Sequence, residues 1–184
     1  EGVDDVFENI KNNSKIGFDY QNTSYYFFHL ANSHTCSFLE NPCLFPKATK
    51  NSTELDGAIK AHLRDGVSVT KFLYWLKTHK NIEDETEISL ANKLLHFRES
   101  NDFFHSVSFD TISAIGKNAA LPHYRADIHN PIQIKKNCIY LSDSGGQYFD
   151  GTTDITRTVI LGIPNTEQKD RFTRVLKGHI NLSK

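Results

Sequence analysis

Residues 140–158 read YLSDSGGQYFDGTTDITRT and predict two β-strands joined by a loop. Asp143 belongs to the first strand, and Asp154 belongs to the second strand. A carboxylate on each strand, aimed at one spot, would present hard oxygen ligands of the kind that divalent cations prefer. The stretch therefore predicts a metal site with Asp143 and Asp154 as ligands. The alternative is an acidic hairpin whose two carboxylates are simply solvated.

The position of the loop decides whether the two carboxylates meet. A tight turn at residues 150–151 would place Asp143 opposite Thr158, and Asp154 would then lie about 13 Å away along the sheet. A wider loop centred near residues 148–149 would place Asp143 directly opposite Asp154, at about 5 Å on one face. The stretch contains glycines that allow a wide or bulged loop. The metal site requires this wider loop, and we expect it.

The same stretch closely resembles the first half of the metal-binding signature of the aminopeptidase P family, the Xaa-Pro aminopeptidases among the pita-bread metallopeptidases. Family members carry Asp-Ser-Gly-(Ala/Gly)-Gln-Tyr and then Asp-Gly-Thr-Thr-Asp-(Ile/Val)-Thr-Arg-Thr, in which the first and last aspartates bind metal. The resemblance gives these roles to Asp143 and Asp154, whereas Asp150 belongs to the loop. It implies two divalent metal ions, with manganese favoured and cobalt or zinc as alternatives.

The resemblance covers roughly residues 42–180 and also singles out His123. The family usually reads Gly-Pro-Asn-Gly-Ala-Ile-Ile-His-Tyr at this point, whereas residues 116–124 read GKNAALPHY. The resemblance implies that His123 lies near the substrate, where it contacts the peptide or transfers protons, and an unperturbed pKa of about 6.5 suits that work. On residues alone, a surface histidine without a role is the alternative. Pro122 departs from the family pattern and can alter how His123 is presented.

The apolar pattern predicts a domain boundary near residue 40 and an α+β fold after it. Residues 1–40 alternate between helix and strand, which is typical of an α/β domain. Residues 41–50 contain two prolines and no periodicity, which predicts a linker. Residues 51–184 predict two helices, an antiparallel sheet and a last helix. The resemblance identifies them as the first half of a pita-bread catalytic domain, and residues 1–40 as the end of a smaller amino-terminal α/β domain.

The first long helix carries an apolar stripe that we expect to face the core along its whole length. The stripe comprises Leu55, Ile59, Leu63, Val67, Val69, Phe72, Leu73 and Leu76. His62 lies on the same helix and is expected to pack. A capping residue, Thr86, predicts the start of the second helix.

The resemblance implies a metal-dependent aminopeptidase that releases an N-terminal residue preceding proline. The alternatives are an Xaa-Pro dipeptidase on the same fold and a non-catalytic module that binds peptides or proteins. The other ligands of the family, one histidine and two glutamates, would follow Lys184. The chain also contains no methionine. We therefore expect an interior part of a longer enzyme, inactive by itself, that self-associates through its exposed apolar faces.

Composition limits the partners and the compartment. A formal net charge of −1 and a pI of about 6.8 give no electrostatic signature for nucleic acid or for an anionic membrane. No apolar run approaches the length that spans a bilayer. The three cysteines are odd in number and lack metal or redox spacing, which favours reduced thiols in the cytoplasm. The expected partners are a peptide substrate with proline in second position and further copies of the same protein.

Overall fold

The computed structural model describes residues 2–11 and 13–184. The chain divides into two compact units, with the boundary between Asn51 and Ser52. In the first unit, helices alternate with two strands. The strands are parallel, and Lys15 of the first lies beside Thr35 of the second. Its elements are α1 (Val3–Glu8), β1 (Lys15–Phe18), α2 (Tyr25–Leu30), β2 (Thr35–Phe38) and α3 (Leu44–Ala48).

Helix α3 lies inside the range 41–50, where the sequence predicts a linker without regular structure. Pro46 is the third residue of this helix. The backbone N–H groups of a first helical turn have no partner within the helix, so a proline there removes no hydrogen bond. The two prolines of the predicted linker therefore do not exclude a short helix.

The second unit consists of helices and antiparallel strands, as the predicted α+β class requires. Its two sheets have the strand orders β4-β5-β8 and β3-β6-β7. The elements are α4 (Ser52–Thr78), α5 (Glu87–Glu99), β3 (Phe104–Val107), β4 (Ile112–Ile115), β5 (Cys138–Ser144), β6 (Gly146–Tyr148), β7 (Gly151–Thr152), β8 (Ile155–Leu161) and α6 (Thr166–Leu182), with short 3-10 helices at Ile82–Asp84 and Gly116–Ala120. Thr86 caps α5 as predicted, because its side chain accepts a hydrogen bond from the backbone N–H of Ser89.

The core of the second unit lies between the second half of α4, helix α5 and the sheet β4-β5-β8. Phe72 from α4, Leu90 from α5 and Tyr140 from β5 meet there and are almost completely buried. Burial of such side chains contributes about 1.5–3 kcal/mol each. This core holds β5 and β8, the two strands that flank the predicted metal site, on a rigid support.

The first half of α4 does not pack as the apolar stripe predicts. The buried residues there are small or polar: Gly57, Ala61, Asp65 and Ser68. The apolar residues Leu55, Ile59, Leu63 and Val67 are 51–69% exposed.

Close backbone packing explains this difference. Strand β7 lies directly on α4, and a β-carbon added to Gly57 would overlap the carbonyl oxygen of Asp150. A β-carbon added to Gly151 would lie 2.9 Å from the β-carbon of Ala61. Only small side chains fit at this contact, so the large apolar residues occupy the opposite side of the helix. Helix α6 likewise buries none of its residues, and Phe172 and Val175 are more than half exposed.

Candidate metal centre

The register of the hairpin differs from both loops that the sequence suggested. Strands β5 and β8 are antiparallel neighbours, and Asp143 lies opposite Thr156. Strands β6 and β7 place Tyr148 opposite Gly151. The turn therefore contains two residues, 149–150, one position earlier than the tight turn considered from sequence. The expected wide loop is wrong, because the hairpin closes tightly.

This register makes the two aspartates diagonal neighbours instead of direct partners. Asp154 lies two residues before Thr156, in the break between β7 and β8. Diagonal positions on adjacent antiparallel strands are about 7–8 Å apart, still within reach of long side chains. The predicted placement of Asp143 opposite Asp154 is thus wrong by two residues. The register nevertheless keeps both residues at one place on neighbouring strands.

A tightly packed corner fixes the backbone beside Asp154. Both sides of the hairpin are interrupted there, at Gly145 on one side and just after β7 on the other. The backbone N–H of Gly146 donates to Oγ1 of Thr153 at 2.9 Å, and the N–H of Thr153 donates back to the carbonyl of Gly146 at 2.9 Å. The hydroxyl of Ser108 donates to the carbonyl of Thr153 at 2.9 Å. These bonds hold the residue that precedes Asp154 against the first side of the hairpin.

The carboxylate of Asp143 carries a sign of a missing ligand. Its Oδ1 atom is buried and has no hydrogen-bond partner among the residues that the structure describes. A buried polar oxygen left without a partner costs about 1–3 kcal/mol, and a cation would offset that cost. Asp154, by contrast, is exposed. A buried unpaired oxygen next to an exposed carboxylate fits the oxygen ligands that a divalent metal ion requires.

Two aspartates alone cannot complete the coordination shell of a metal ion. Among residues 2–11 and 13–184, no group of three or more histidine, cysteine, aspartate or glutamate side chains could hold a metal ion. The hairpin would supply two of the ligands of a metal ion, and other donors would complete the coordination shell.

The incomplete ligand set predicts that this chain by itself binds metal ions weakly. We expect isothermal titration calorimetry with Mn²⁺ to give a dissociation constant of about 1 mM, because two carboxylates leave most of about six coordination positions to water. The chain should also show no peptidase activity. The double variant Asp143→Asn/Asp154→Asn is the control and should lose the residual binding. Micromolar affinity of the unmodified chain would contradict this expectation.

A buried ion pair anchors the hairpin to both helices, and the sequence did not reveal it. Arg98 of α5 donates to the Asp65 carboxylate of α4 through Nε at 2.7 Å and Nη2 at 3.1 Å. The hydroxyl of Tyr148, on β6, donates to Oδ1 of the same carboxylate at 2.9 Å. Burial, followed by the charge of Asp65, raises the pKa of Tyr148 far above its usual range. The hydroxyl therefore remains protonated and remains a donor.

A second contact fixes the tip of the hairpin. Arg64 forms an ion pair with Asp150 in the turn. Its guanidinium lies over the rings of Phe103 and Tyr148, at 5.2 and 5.3 Å from their centroids. The neighbouring His62, which was expected to pack, is exposed, and its Nδ1 lies 2.7 Å from the carbonyl of Ala58. Arg64 and the adjacent Asp65 contact the hairpin from this segment.

His123 lies on the loop that follows β4, outside the sheet. It is exposed, and its backbone has a φ of 56°, in the left-handed region. Histidine adopts this region more readily than most residues, but the conformation is uncommon. In the described part of the chain, no hydrogen bond joins His123 to Asp143 or Asp154. The structure thus places the two aspartates on the two sides of one hairpin and His123 on a separate loop.

The residue that follows His123 is fixed firmly. The hydroxyl of Tyr124 donates to Oε2 of Glu87 at 2.7 Å. Burial of this hydroxyl, and then the hydrogen bond to the Glu87 carboxylate, raises the pKa of Tyr124 to about 12. Sequence analysis missed Glu87. Its only sequence signal is an acidic residue directly after the cap of α5.

Residues 56–184 match the family model described as metallopeptidase family M24. The chain belongs to this family. A probable Xaa-Pro aminopeptidase P of Laccaria bicolor is 45% identical over 149 residues, which are 79% of this chain and 23% of that protein. Xaa-Pro aminopeptidase 1 of Dictyostelium discoideum is 47% identical over 147 residues, 78% of this chain and 23% of that protein. The chain spans less than a quarter of the length of these relatives.

Solved structures agree on the fold. The X-prolyl aminopeptidase of Caenorhabditis elegans, described as a cytosolic enzyme with a di-nuclear active site, superposes with a TM-score of 0.71 at 43% identity. The match covers 80% of this chain and 24% of that one. The prolidase of Pyrococcus furiosus superposes with a TM-score of 0.78 at 23% identity. This match covers 96% of this chain and 50% of that one, and it supports the fold alone. The second unit has the mixed α+β, pita-bread-like catalytic fold of this family.

No helix in the described ranges is both long and apolar enough to cross a membrane. The cysteines Cys36, Cys43 and Cys138 are all free thiols.

Proposed function

We propose that the longer protein that contains this chain is a metal-dependent aminopeptidase that releases an N-terminal residue preceding proline. The observation that carries the proposal is the buried, unpaired Oδ1 of Asp143 beside the exposed Asp154. The identities of 43–47% to proteins named as Xaa-Pro aminopeptidases support the substrate class. A cytoplasmic location accords with the free thiols.

Asp143 and Asp154 are the residues of this chain that would hold the metal ions. Two divalent ions, with manganese favoured, would polarise the scissile carbonyl and lower the pKa of a water molecule. Asp143 contributes an oxygen that no protein donor occupies. The corner at Thr153 keeps the backbone of Asp154 against the first strand. The protein thus orients both ligands before any metal binds.

His123 is the candidate for contact with the substrate and for proton transfer. Its ring is exposed, so a bound peptide can reach it. An imidazole titrates close to neutral pH and can both accept and donate a proton. The left-handed backbone at His123 sets the direction in which the side chain leaves the loop.

We further propose that residues 1–40 end an amino-terminal α/β domain and that residues 51–184 form the first half of the catalytic domain. The parallel pairing of β1 with β2 supports the first assignment. The exposed apolar residues of α6, Phe172 and Val175 among them, support a surface that the rest of the protein or a further copy covers. A homo-oligomer is the assembly we propose.

The full-length protein, stripped of metal and then supplied with Mn²⁺, tests this function. We expect it to cleave an Xaa-Pro-Xaa tripeptide after the first residue and to leave the matched Xaa-Ala-Xaa peptide largely intact. Mass spectrometry of the products gives the cleavage position. An Xaa-Pro dipeptide in the same assay distinguishes the dipeptidase, the alternative on this fold. Cleavage of the dipeptide alone, or of neither peptide, would contradict the proposal.

A further inference from the structure

Glu87 is a completely buried acidic residue at the start of α5, with a relative exposure of 0%. Its Oε1 accepts hydrogen bonds from the backbone N–H of Ile115 at 2.7 Å and from Nδ2 of Asn118 at 3.1 Å. Its Oε2 accepts the hydroxyl of Tyr124 at 2.7 Å. Glu87 has no ion-pair partner in the part of the chain that the structure describes. Hydrogen bonds and the favourable charge at a helix N-terminus therefore stabilise its carboxylate.

These three donors are spaced along the loop that carries His123. Ile115 is the last residue of β4, Asn118 lies in the 3-10 helix that follows, and Tyr124 comes directly after His123. Nδ2 of Asn118 also lies 3.0 Å from the hydroxyl of Tyr124. One carboxylate thus binds three points of the chain between Ile115 and Tyr124.

The attachment point itself is rigid. Glu87 is the first residue of α5, and its backbone N–H donates to the carbonyl of Ile132 at 3.1 Å. The preceding residue, Thr86, caps the helix and forms a capping box with Ser89. A helix start fixed in this way gives the Glu87 carboxylate a defined position. The loop is fixed in turn, because it is hydrogen-bonded to that carboxylate.

The conformation of His123 needs such support. Its positive φ is strained for a residue with a side chain, and such strain persists only where the surrounding structure imposes it. The turn at this point is closed by a hydrogen bond from the Tyr124 N–H to the carbonyl of Leu121 at 3.3 Å. The side chain of Tyr124 is tied to Glu87, so the residue that closes the turn cannot move away.

We propose that Glu87 is a positioning residue that acts through Tyr124 and Asn118 to hold His123 toward the substrate. The inference rests on the role proposed for His123. Loss of the Tyr124 hydroxyl should leave the protein folded, because only the hydrogen bonds of that hydroxyl to Glu87 and Asn118 disappear and the ring stays in place. Loss of this hydroxyl should also lower the catalytic rate, and the whole effect should come from displacement of His123.

A double-mutant cycle in the full-length enzyme with Mn²⁺ tests this positioning. The variants are Tyr124→Phe, His123→Ala and the two combined, assayed on the Xaa-Pro-Xaa peptide. We expect Tyr124→Phe to lower kcat about tenfold with KM nearly unchanged, since a misplaced catalytic group weakens the chemical step. The combined variant should lose nothing beyond His123→Ala, because residues that act as one unit are not additive. Losses that multiply would overturn the proposal.

Tyr140→Phe is the matched control. Tyr140 is also buried, and its hydroxyl lies 2.8 Å from Oγ of Ser113, but among the described residues no hydrogen bond joins its side chain to Glu87, Asn118 or Tyr124. We expect its kcat to stay within about twofold of the unmodified enzyme, as for changes remote from the reacting groups. A loss in Tyr140→Phe equal to that in Tyr124→Phe would show a general effect of stability and would overturn the proposal.

Hydrogen exchange separates failure of this inference from failure of the proposed function. Glu87→Gln replaces one acceptor oxygen with a donor, so the loop should loosen. We expect the amides of Leu121 and Tyr124 to exchange at least about tenfold faster, with the core of α5 unchanged. This readout needs no activity. Unchanged exchange would overturn the attachment itself, whereas faster exchange in a protein that cleaves no Xaa-Pro peptide would support the attachment and overturn the proposed function.

Discussion

Asp154→Asn in the full-length protein will lower kcat/KM on an Xaa-Pro peptide by about a thousandfold or more. The substitution removes a negative charge from one of the two residues that would hold the metal ions. Loss of one such ligand removes several kcal/mol of transition-state stabilisation, and each 1.36 kcal/mol corresponds to about tenfold in rate. Asp154 is exposed, so the change should leave folding within about 0.5 kcal/mol.

Two measurements separate loss of metal from loss of fold in this experiment. Metal analysis of the purified variant should show fewer bound ions than the unmodified protein, while its thermal unfolding should be unchanged. Asp110→Asn is the control, because this carboxylate is 76% exposed and pairs with Arg125, which is 82% exposed. Its activity should stay close to normal. Near-normal turnover of Asp154→Asn with added manganese would contradict the assignment of Asp154.

The hairpin shows where prediction from sequence succeeds and where it stops. The stretch 140–158 was sufficient to predict two adjacent strands, and its paired carboxylates with the family resemblance made Asp143 and Asp154 the candidate metal ligands. The register was not predictable, because moving the turn by one residue changes every cross-strand pair by two. In the observed register, the turn lies tightly against Gly57 and Ala61 of α4. That contact joins residues about ninety positions apart, and no local pattern reveals it.

Helix α4 shows a second limit. Its apolar periodicity was real, but periodicity does not tell which face the rest of the fold covers. The second half of the stripe, around Phe72, packs in the core as predicted. In the first half, Leu55 and Ile59 are exposed, and the buried face contains Asp65. The partners of this aspartate lie 33 and 83 residues away, so its burial became visible only in three dimensions.

The buried ion pair between Asp65 and Arg98 leads to the largest expected effect on stability. Both side chains are at most 3% exposed, and the Asp65 carboxylate also accepts the Tyr148 hydroxyl. Arg98→Met should destabilise the protein by about 3–5 kcal/mol, because it leaves a buried carboxylate with one remaining donor. Asp65→Leu combined with Arg98→Met should recover much of this loss, since an apolar pair of similar volume leaves no buried charge.

Differential scanning calorimetry of the full-length protein measures this expectation. The transition that contains this unit should fall by about 10 °C in Arg98→Met. Arg174→Met is the matched control, because Arg174 pairs with Asp170 on the exposed surface of α6 and should shift the transition by less than about 2 °C. The Tyr148 hydroxyl joins the hairpin that contains Asp143 and Asp154 to the Asp65 carboxylate. Arg98→Met should therefore also weaken manganese binding. An unchanged transition together with unchanged metal affinity would show that the ion pair does not anchor the hairpin.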